Sequence, residues 1–350
     1  MSDSNQSGAP VHVLSLIKGL KKFFDFKVIA PNGWLVSELE LLHIEVFVVP
    51  INLFSFFKIR KYYRNFQKNN LIIHCHGVKA GGIGRIAALG LRKRLVYTEH
   101  NWTKDYHLNQ EIRKPFQLLA LQILSIFTDR IICVSKAVMN FYLQKKLASL
   151  DKLTIIYNGV QIHNIKQKVN NPDEVVLGMI ASLVKRKAVD LLITALYRLK
   201  NLVGLKLKLL IVGEGEEKED LKKLVHEYHL DKSILWLGNI CDVKNFLSKI
   251  DIYVQTSLDE SFGIALAEAL LAGIPVVASR VGAIPELVTD KNSLFRKGDV
   301  NDLMLKLKEC IVNLENRKYR AYSQKEFLQR KFSEEVMVRN YKEFYNNIKF

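Results

Sequence analysis

The chain has 350 residues, 49% hydrophobic and 10% aromatic, with a net charge of +17. That length exceeds one ordinary domain and predicts two. No apolar run approaches the roughly 18–20 residues of a membrane-crossing helix, residues 1–10 are polar rather than signal-like, and the four cysteines (Cys75, Cys133, Cys241, Cys310) are too scattered for metal-ligand spacing, so the chain reads as cytoplasmic.

The charge is concentrated early. Up to Val160, 22 Lys and Arg face 10 Asp and Glu, a balance of +12, against +5 in the remainder. Such an excess points to an anionic partner: a membrane surface, nucleic acid or a phosphorylated substrate. No nucleic-acid-binding module is visible. In chain order, the first half shows strand runs at 27–30, 46–49, 71–75, 95–98, 130–134 and 154–156. Between the second and third lies a stretch, residues 54–68, that interleaves aromatic and basic side chains. It reads equally as a helix lying on anionic lipid or as a surface helix that buries its aromatics.

The second half alternates more cleanly. Strands at 175–181, 206–212, 234–237, 252–256 and 275–279 are separated by helical patterns at 189–200, 218–230 and 242–250 and by the helix after Phe262-Gly263. This rhythm predicts an α/β fold of two doubly wound, Rossmann-like domains facing each other across a cleft, with ligands at the carboxyl ends of the strands. The polar stretch 158–172 is the expected linker. The domains are then 1–157 and 173–332, with an amphipathic helix at 333–347 in a terminal segment, 333–350, that packs back on the first domain or stays with the second.

Two glutamates carry the strongest chemical signal. Glu260 and Glu268 straddle Phe262-Gly263 where a strand gives way to a helix. Unsatisfied N–H groups at a helix start attract phosphate, and a carboxylate further in accepts from paired sugar hydroxyls. Acids at helix starts are common for ordinary reasons, but Glu268 stands in a helix apolar almost all round, where a carboxylate needs a partner or a ligand. Phosphate plus polyol points to a nucleotide sugar. Ser182, Lys185, Arg186 and Lys187 form a basic loop after one strand, and Gly213-Glu214-Gly215 a tight turn after the next; each fits a diphosphate or a plain surface loop. His74, His76 and His100 end strands in the first half, and His100 is the best catalytic candidate of the three. Gly82-Ile83-Gly84-Arg85 imitates a dinucleotide fingerprint, but five residues separate it from its strand, which argues against a redox cofactor.

Taken together, Glu260 and Glu268 around Ser261-Phe262-Gly263, then Gly273-Ile274-Pro275 and Gly282-Ala283-Ile284-Pro285-Glu286, resemble the retaining glycosyltransferases of family 4. Lys187 with Asp190, Gly213-Glu214-Gly215, Asn158-Gly159-Val160 and Val134-Ser135 recur there in the same order. The resemblance implies a GT-B fold, a nucleotide-sugar donor held mainly by the second domain, and no obligatory metal or other cofactor. It implies that Glu268 takes the ribose hydroxyls and Glu260 the donor sugar. Lys187, Gly8 and the N–H groups of Gly263 and Ile264 would hold the diphosphate, with Ser182, Arg186, Gly213, Gly215 and Phe262 lining the donor site and His100 beside the sugar. The expected activity is retaining transfer of a hexosyl unit from a UDP- or GDP-sugar to an envelope polysaccharide or lipid-linked acceptor, at the inner face of the membrane or free in the cytoplasm. An inactive protein that binds sugar nucleotide or glycan is the alternative.

Two departures from the pattern bear on this. Ser182 stands where the family often has Arg. The buried first strand and Gly-Gly loop are replaced by a polar start in which Ser7 takes the place of the first glycine, with the helix at 11–20 behind it. The expectation is a truncated start, which would leave strand edges in the first domain unpaired.

Overall fold

Runs of Val, Ile and Leu fit a strand buried on both faces, and helices with one apolar stripe cover it. The computed structural model describes residues 8–52, 54–66, 71–91, 93–101, 114–165, 171, 173–200 and 202–348. The chain divides into two units, Met1–Gly159 with Glu334–Phe350, and Val160–Ser333.

The N-terminal unit runs α1 (Gly8–Leu20), β1 (Lys27–Ala30), α2 (Trp34–Leu41), β2 (Glu45–Val48), α3 (Ser55–Asn65), β3 (Ile72–His76), α4 (Val78–Ala88), β4 (Arg94–Glu99), α5 (Lys114–Ile126), β5 (Arg130–Cys133), α6 (Lys136–Gln144) and β6 (Leu153–Ile155). The helix placed at 11–20 by sequence begins earlier, at Gly8. Pro10 is tolerated there because first-turn N–H groups have no intrahelical acceptor. All strand pairs are parallel, in a sheet of β1 and β2 and a second of order β3-β4-β5-β6. Among the described residues no strand joins the two sheets. Alternation along β3 and β4 sorts side chains to two faces. His74, His76, Val96 and Thr98 share one face with α1. Cys75 and Tyr97 point to the other, toward α4.

The C-terminal unit runs β7 (Glu174–Ile180), α7 (Val189–Leu199), β8 (Lys206–Val212), α8 (Lys218–Glu227), β9 (Ile234–Trp236), α9 (Val243–Leu247), β10 (Ile252–Gln255), α10 (Ile264–Leu271), β11 (Val276–Ser279), α11 (Ile284–Leu287), β12 (Leu294–Phe295), α12 (Val300–Val312) and α13 (Leu314–Phe332). Its six strands form one parallel sheet, β12-β11-β10-β7-β8-β9. Leu177, Met179, Leu209 and Ile211 of the central strands meet Leu192, Leu196 and Leu307 from α7 and α12 in one apolar core. The last helix, α14 (Glu334–Asn347), belongs to the N-terminal unit, where Met337 and Tyr341 pack with Leu16 and Leu20 of α1.

Candidate functional site

Parallel strands end together, so the loops after β7, β8, β10 and β11 gather at one edge of the six-stranded sheet. Lys187 closes a short turn, Lys185–Lys187, beyond β7, and Glu260 follows β10. Lys187 Nζ lies 2.5 Å from Glu260 Oε2, with the two side chains only 12% and 10% exposed. Gln255 Nε2 donates to the same oxygen at 3.2 Å and Ser257 Oγ at 3.3 Å. Tyr253 Oη in turn donates to Gln255 Oε1 at 3.0 Å, which fixes the amide's orientation. Burial pushes the Glu260 carboxyl up, but the charge and hydrogen bond of Lys187, with Arg186 and Ser257 behind them, outweigh it and hold the group below the ordinary carboxylate range. The result is an ionised acid with its counter-charge in contact.

The backbone around this pair is tightly constrained. Ala188, next to Lys187, has φ 46, a left-handed conformation unusual for a residue with a Cβ. Thr256 Oγ1 steadies it from 2.8 Å of both the Lys187 and Ala188 carbonyl oxygens. Gly282 has φ 47, and a Cβ there would stand 1.9 Å from the Glu260 carbonyl oxygen, which accepts instead from the Ala283 N–H. Gly213 and Gly215 have a related role: a Cβ on either would lie 1.9 Å from Ala181 O or 2.3 Å from Leu183 O. These glycines let the loop after β8 press against the loop after β7, which supplies a packing reason for the turn that the sequence offered to phosphate.

Gly263, with φ 91, starts α10, and the first N–H groups of that helix have no intrahelical acceptor. Phe262 is buried edge-on against Phe332 and anchors this turn by packing. Ile264 is half-buried, while Ser182 and Arg186 are exposed. Glu268 lies on α10 with its side chain 17% exposed, 3.9 Å from His163 Nε2, beyond hydrogen-bond reach. That nitrogen is buried and has no hydrogen-bond partner among the described residues. The sequence did not single out His163, because it falls in the stretch assigned to a linker.

A second polar cluster lies within the N-terminal unit. His100 is buried just past β4, and its Nε2 is 3.1 Å from His76 Nδ1. His12, from α1, stacks edge-on to His100 with ring centroids 4.9 Å apart, and its Nε2 is 3.3 Å from Tyr341 Oη. His74 is held between Tyr345 Oη at 2.5 Å and Thr98 Oγ1 at 2.7 Å. Burial lowers all four imidazoles: His12 to about 4 although the nearby Asn158 side chain opposes the shift, His74 to about 3, and His76 and His100 well below the usual value. They are neutral at pH 7. His12 went unnoticed in the sequence, although it shares the buried face of α1 with Leu16. Glu99, on the opposite face of β4, accepts from Tyr97 and Tyr142 and from the Asn101 N–H, which fixes the strand end that presents His100. Ligand atoms of His12, His76 and His100 fall within 4.8 Å of one another. Gly8 is exposed at the start of α1.

The false dinucleotide fingerprint also resolves. Gly82 and Gly84 lie inside α4 rather than at a strand-to-helix turn, and a Cβ on Gly84 would come within 2.9 Å of Cys75 Sγ. Arg85 lies buried over the Tyr97 ring at 3.9 Å. Gly84 serves close helix–sheet packing, as does the neighbouring Gly81 against Tyr97, whereas a Cβ on Gly82 would meet nothing within 4 Å.

Two family descriptions match the chain: Glycosyltransferase Family 4 over residues 6–164 and Glycosyl transferases group 1 over residues 161–327. The chain is 26% identical over 291 residues to the Escherichia coli O-antigen biosynthesis glycosyltransferase WclY, covering 79% of each. A Methanocaldococcus jannaschii glycosyltransferase is 26% identical over 351 residues, covering 97% of this chain and 95% of that one. The fold is similar to that of Anabaena HepE in complex with UDP-glucose, with a TM-score of 0.85, 22% identity and coverage of 99% and 98%.

Proposed function

The chain belongs to the group 1 glycosyltransferases of family 4 and has their GT-B fold, and from that premise we propose that it moves a hexosyl unit, with retention, from a UDP-sugar or GDP-sugar to an envelope polysaccharide or lipid-linked acceptor. The observation that carries the reading is the buried Lys187–Glu260 pair at the carboxyl ends of β7 and β10. An ammonium with three donors bridges Glu260 and a phosphate oxygen at once. Lys187, Arg186 and the first N–H groups of α10 then meet the charge that develops on the diphosphate as the sugar departs, the largest single lever for this chemistry. Glu260 binds a donor-sugar hydroxyl, and Glu268 takes the ribose hydroxyls. His100, kept neutral by burial, hydrogen-bonds a hydroxyl of the sugar without adding charge.

UDP is supported as the nucleotide by HepE, whose structure holds UDP-glucose, and an envelope glycan as the product by WclY. No step requires a metal. Among the described residues no helix is long and apolar enough to cross a membrane; work on a lipid-linked acceptor is proposed at the membrane surface. The test is a hydrolysis and transfer screen over UDP- and GDP-sugars, with chelator added and the anomeric configuration of the product read by NMR. Turnover of one donor with retained configuration, unaffected by chelator, is expected. Release of an inverted product would overturn the stereochemical assignment, and turnover of no donor would favour a binding protein without activity.

A further inference from the structure

The helices α3, α4 and α5 lie side by side, with α4 in the middle and packed on β3 and β4. Arg60 ties α3 to the end of α4 by donating to the Ala87 and Leu89 carbonyl oxygens at 2.9 and 2.7 Å. None of the three helices contains Asp or Glu. Indeed no acid occurs between Glu45 and Glu99, a span that holds ten Lys and Arg. Lys58, Lys61, Arg64 and Lys79 are exposed on α3 and α4 and have no carboxylate partner among the described residues. The exposed lysines of α8 are different: Lys222 and Lys223 each pair with an acid of their own helix.

The same layer exposes apolar side chains in a row. On α5, Leu121 and Ser125 face inward, while Phe116, Leu119, Ile123, Ile126 and the adjoining Phe127 are 47 to 74% exposed. At 3.6 residues per turn these five occupy about a third of the helix circumference. Phe54 and Phe57 at the start of α3 are 84% and 71% exposed. Lys152 donates to the Ser125 and Ile126 carbonyl oxygens, which places a cation at the end of the α5 row.

We infer that the α3–α4–α5 face docks on an anionic lipid bilayer, with the α5 row sunk among the acyl chains and the lysines and arginines of α3 and α4 against the headgroups. Charge decides the occupant. A row of large apolar side chains beside unpaired cations, with no acid among them, is the composition of an interfacial helix surface. Protein interfaces are depleted in lysine, and a nucleic acid would use the cations but not the aliphatic row. The inference rests on the transferase reading only for its purpose, delivery of the site to a membrane acceptor, and is measured without turnover.

The experiment is flotation of the full chain with vesicles of phosphatidylcholine alone or mixed with phosphatidylglycerol. Two double variants accompany it, Phe116→Ser with Ile123→Ser and Lys58→Glu with Lys61→Glu, all at exposed positions, with circular dichroism and melting to confirm the fold. The expected result is binding to the anionic vesicles, weakened by salt, with at least about a tenfold loss in each double variant. Failure to float with anionic vesicles, or flotation untouched by both double variants, would overturn the inference. So would a wild-type dimer that the Phe116/Ile123 variant dissolves while lipid binding stays unchanged. Sugar-nucleotide binding is measured on the same samples: a chain that floats but binds no sugar nucleotide keeps the docking face and loses the transferase reading.

Discussion

At the ends of β7 and β10 the C-terminal unit buries a carboxylate and answers it with an ammonium in contact. At the ends of β3 and β4 the N-terminal unit buries four imidazoles and strips their charge instead. The difference follows from what each cluster is given. Glu260 has Lys187, Gln255 and Ser257 converging on one oxygen, so ionisation is supported as the carboxyl leaves water. The imidazoles meet one another and hydroxyls of Thr98, Tyr341 and Tyr345, none of which brings a negative charge to set against a buried cation. A permanent negative site suits recognition of hydroxyls beside a cation for phosphate. A neutral polar site suits hydrogen bonding to a sugar without attracting the diphosphate.

The contrast can be broken first at Lys187. Lys187→Ala leaves Glu260 buried without its counter-charge and removes the cation proposed to meet the leaving diphosphate. The expected loss in kcat/KM is about a thousandfold, measured on whichever donor turns over. A loss below tenfold would show the pair to be structural.

Acid separates the two clusters next. Below pH 6.5 the unfolded chain takes up protons that the folded imidazoles refuse, so stability falls as pH drops from 6.5 toward about 4 for His12 and about 3 for His74. At pH 5 that amounts to about 2 kcal/mol for each of these two. The Glu260 carboxyl, held below its usual 4.5, begins to cost stability only below that value. Hydrogen exchange at pH 5 and pH 7 is therefore expected to show the N-terminal unit loosening first. Equal loosening of both units would contradict the charge assignments.

Gly282→Ala is expected to cost at least about 2 kcal/mol by melting, because it puts a Cβ into the Glu260 carbonyl at a left-handed φ. A substitution without effect there would mean that the Glu260 backbone moves freely. The smallest effect is expected at Arg186, which is exposed: Arg186→Ala should weaken donor binding by about fivefold in a titration and leave the melting temperature unchanged.

Much of this was legible in the sequence, and the reasons are local. The parallel strands announce themselves as short buried runs, and chain order alone puts Lys187 and Glu260 at the same sheet edge. Their contact could not be read, since it depends on the turn at Ala188 and the missing Cβ of Gly282. Gly213 and Gly215 fit a phosphate-binding turn or a plain surface turn in the sequence, and the crowding of two loops, which gives glycine a packing reason there, is visible only in the fold. The helix α13 gave little hydrophobic rhythm because polar contacts anchor it: Lys318 reaches Asp251 at 3.0 Å and Arg317 reaches Asp290 and Glu309. Buried ion pairs leave no periodic signature. His12 illustrates the same blindness, a polar group on an apolar helix face whose meaning depends on strands far along the chain.

We place the nucleotide-sugar site at the carboxyl edge of the six-stranded sheet. Calorimetric titration of wild type and Glu268→Ala with UDP- and GDP-sugars decides it. The expected result is binding of one nucleotide class by the wild type and a loss of about ten- to a hundredfold in the variant, the worth of the hydrogen bonds removed. Absence of binding to every sugar nucleotide, or equal affinity in the variant, would contradict it.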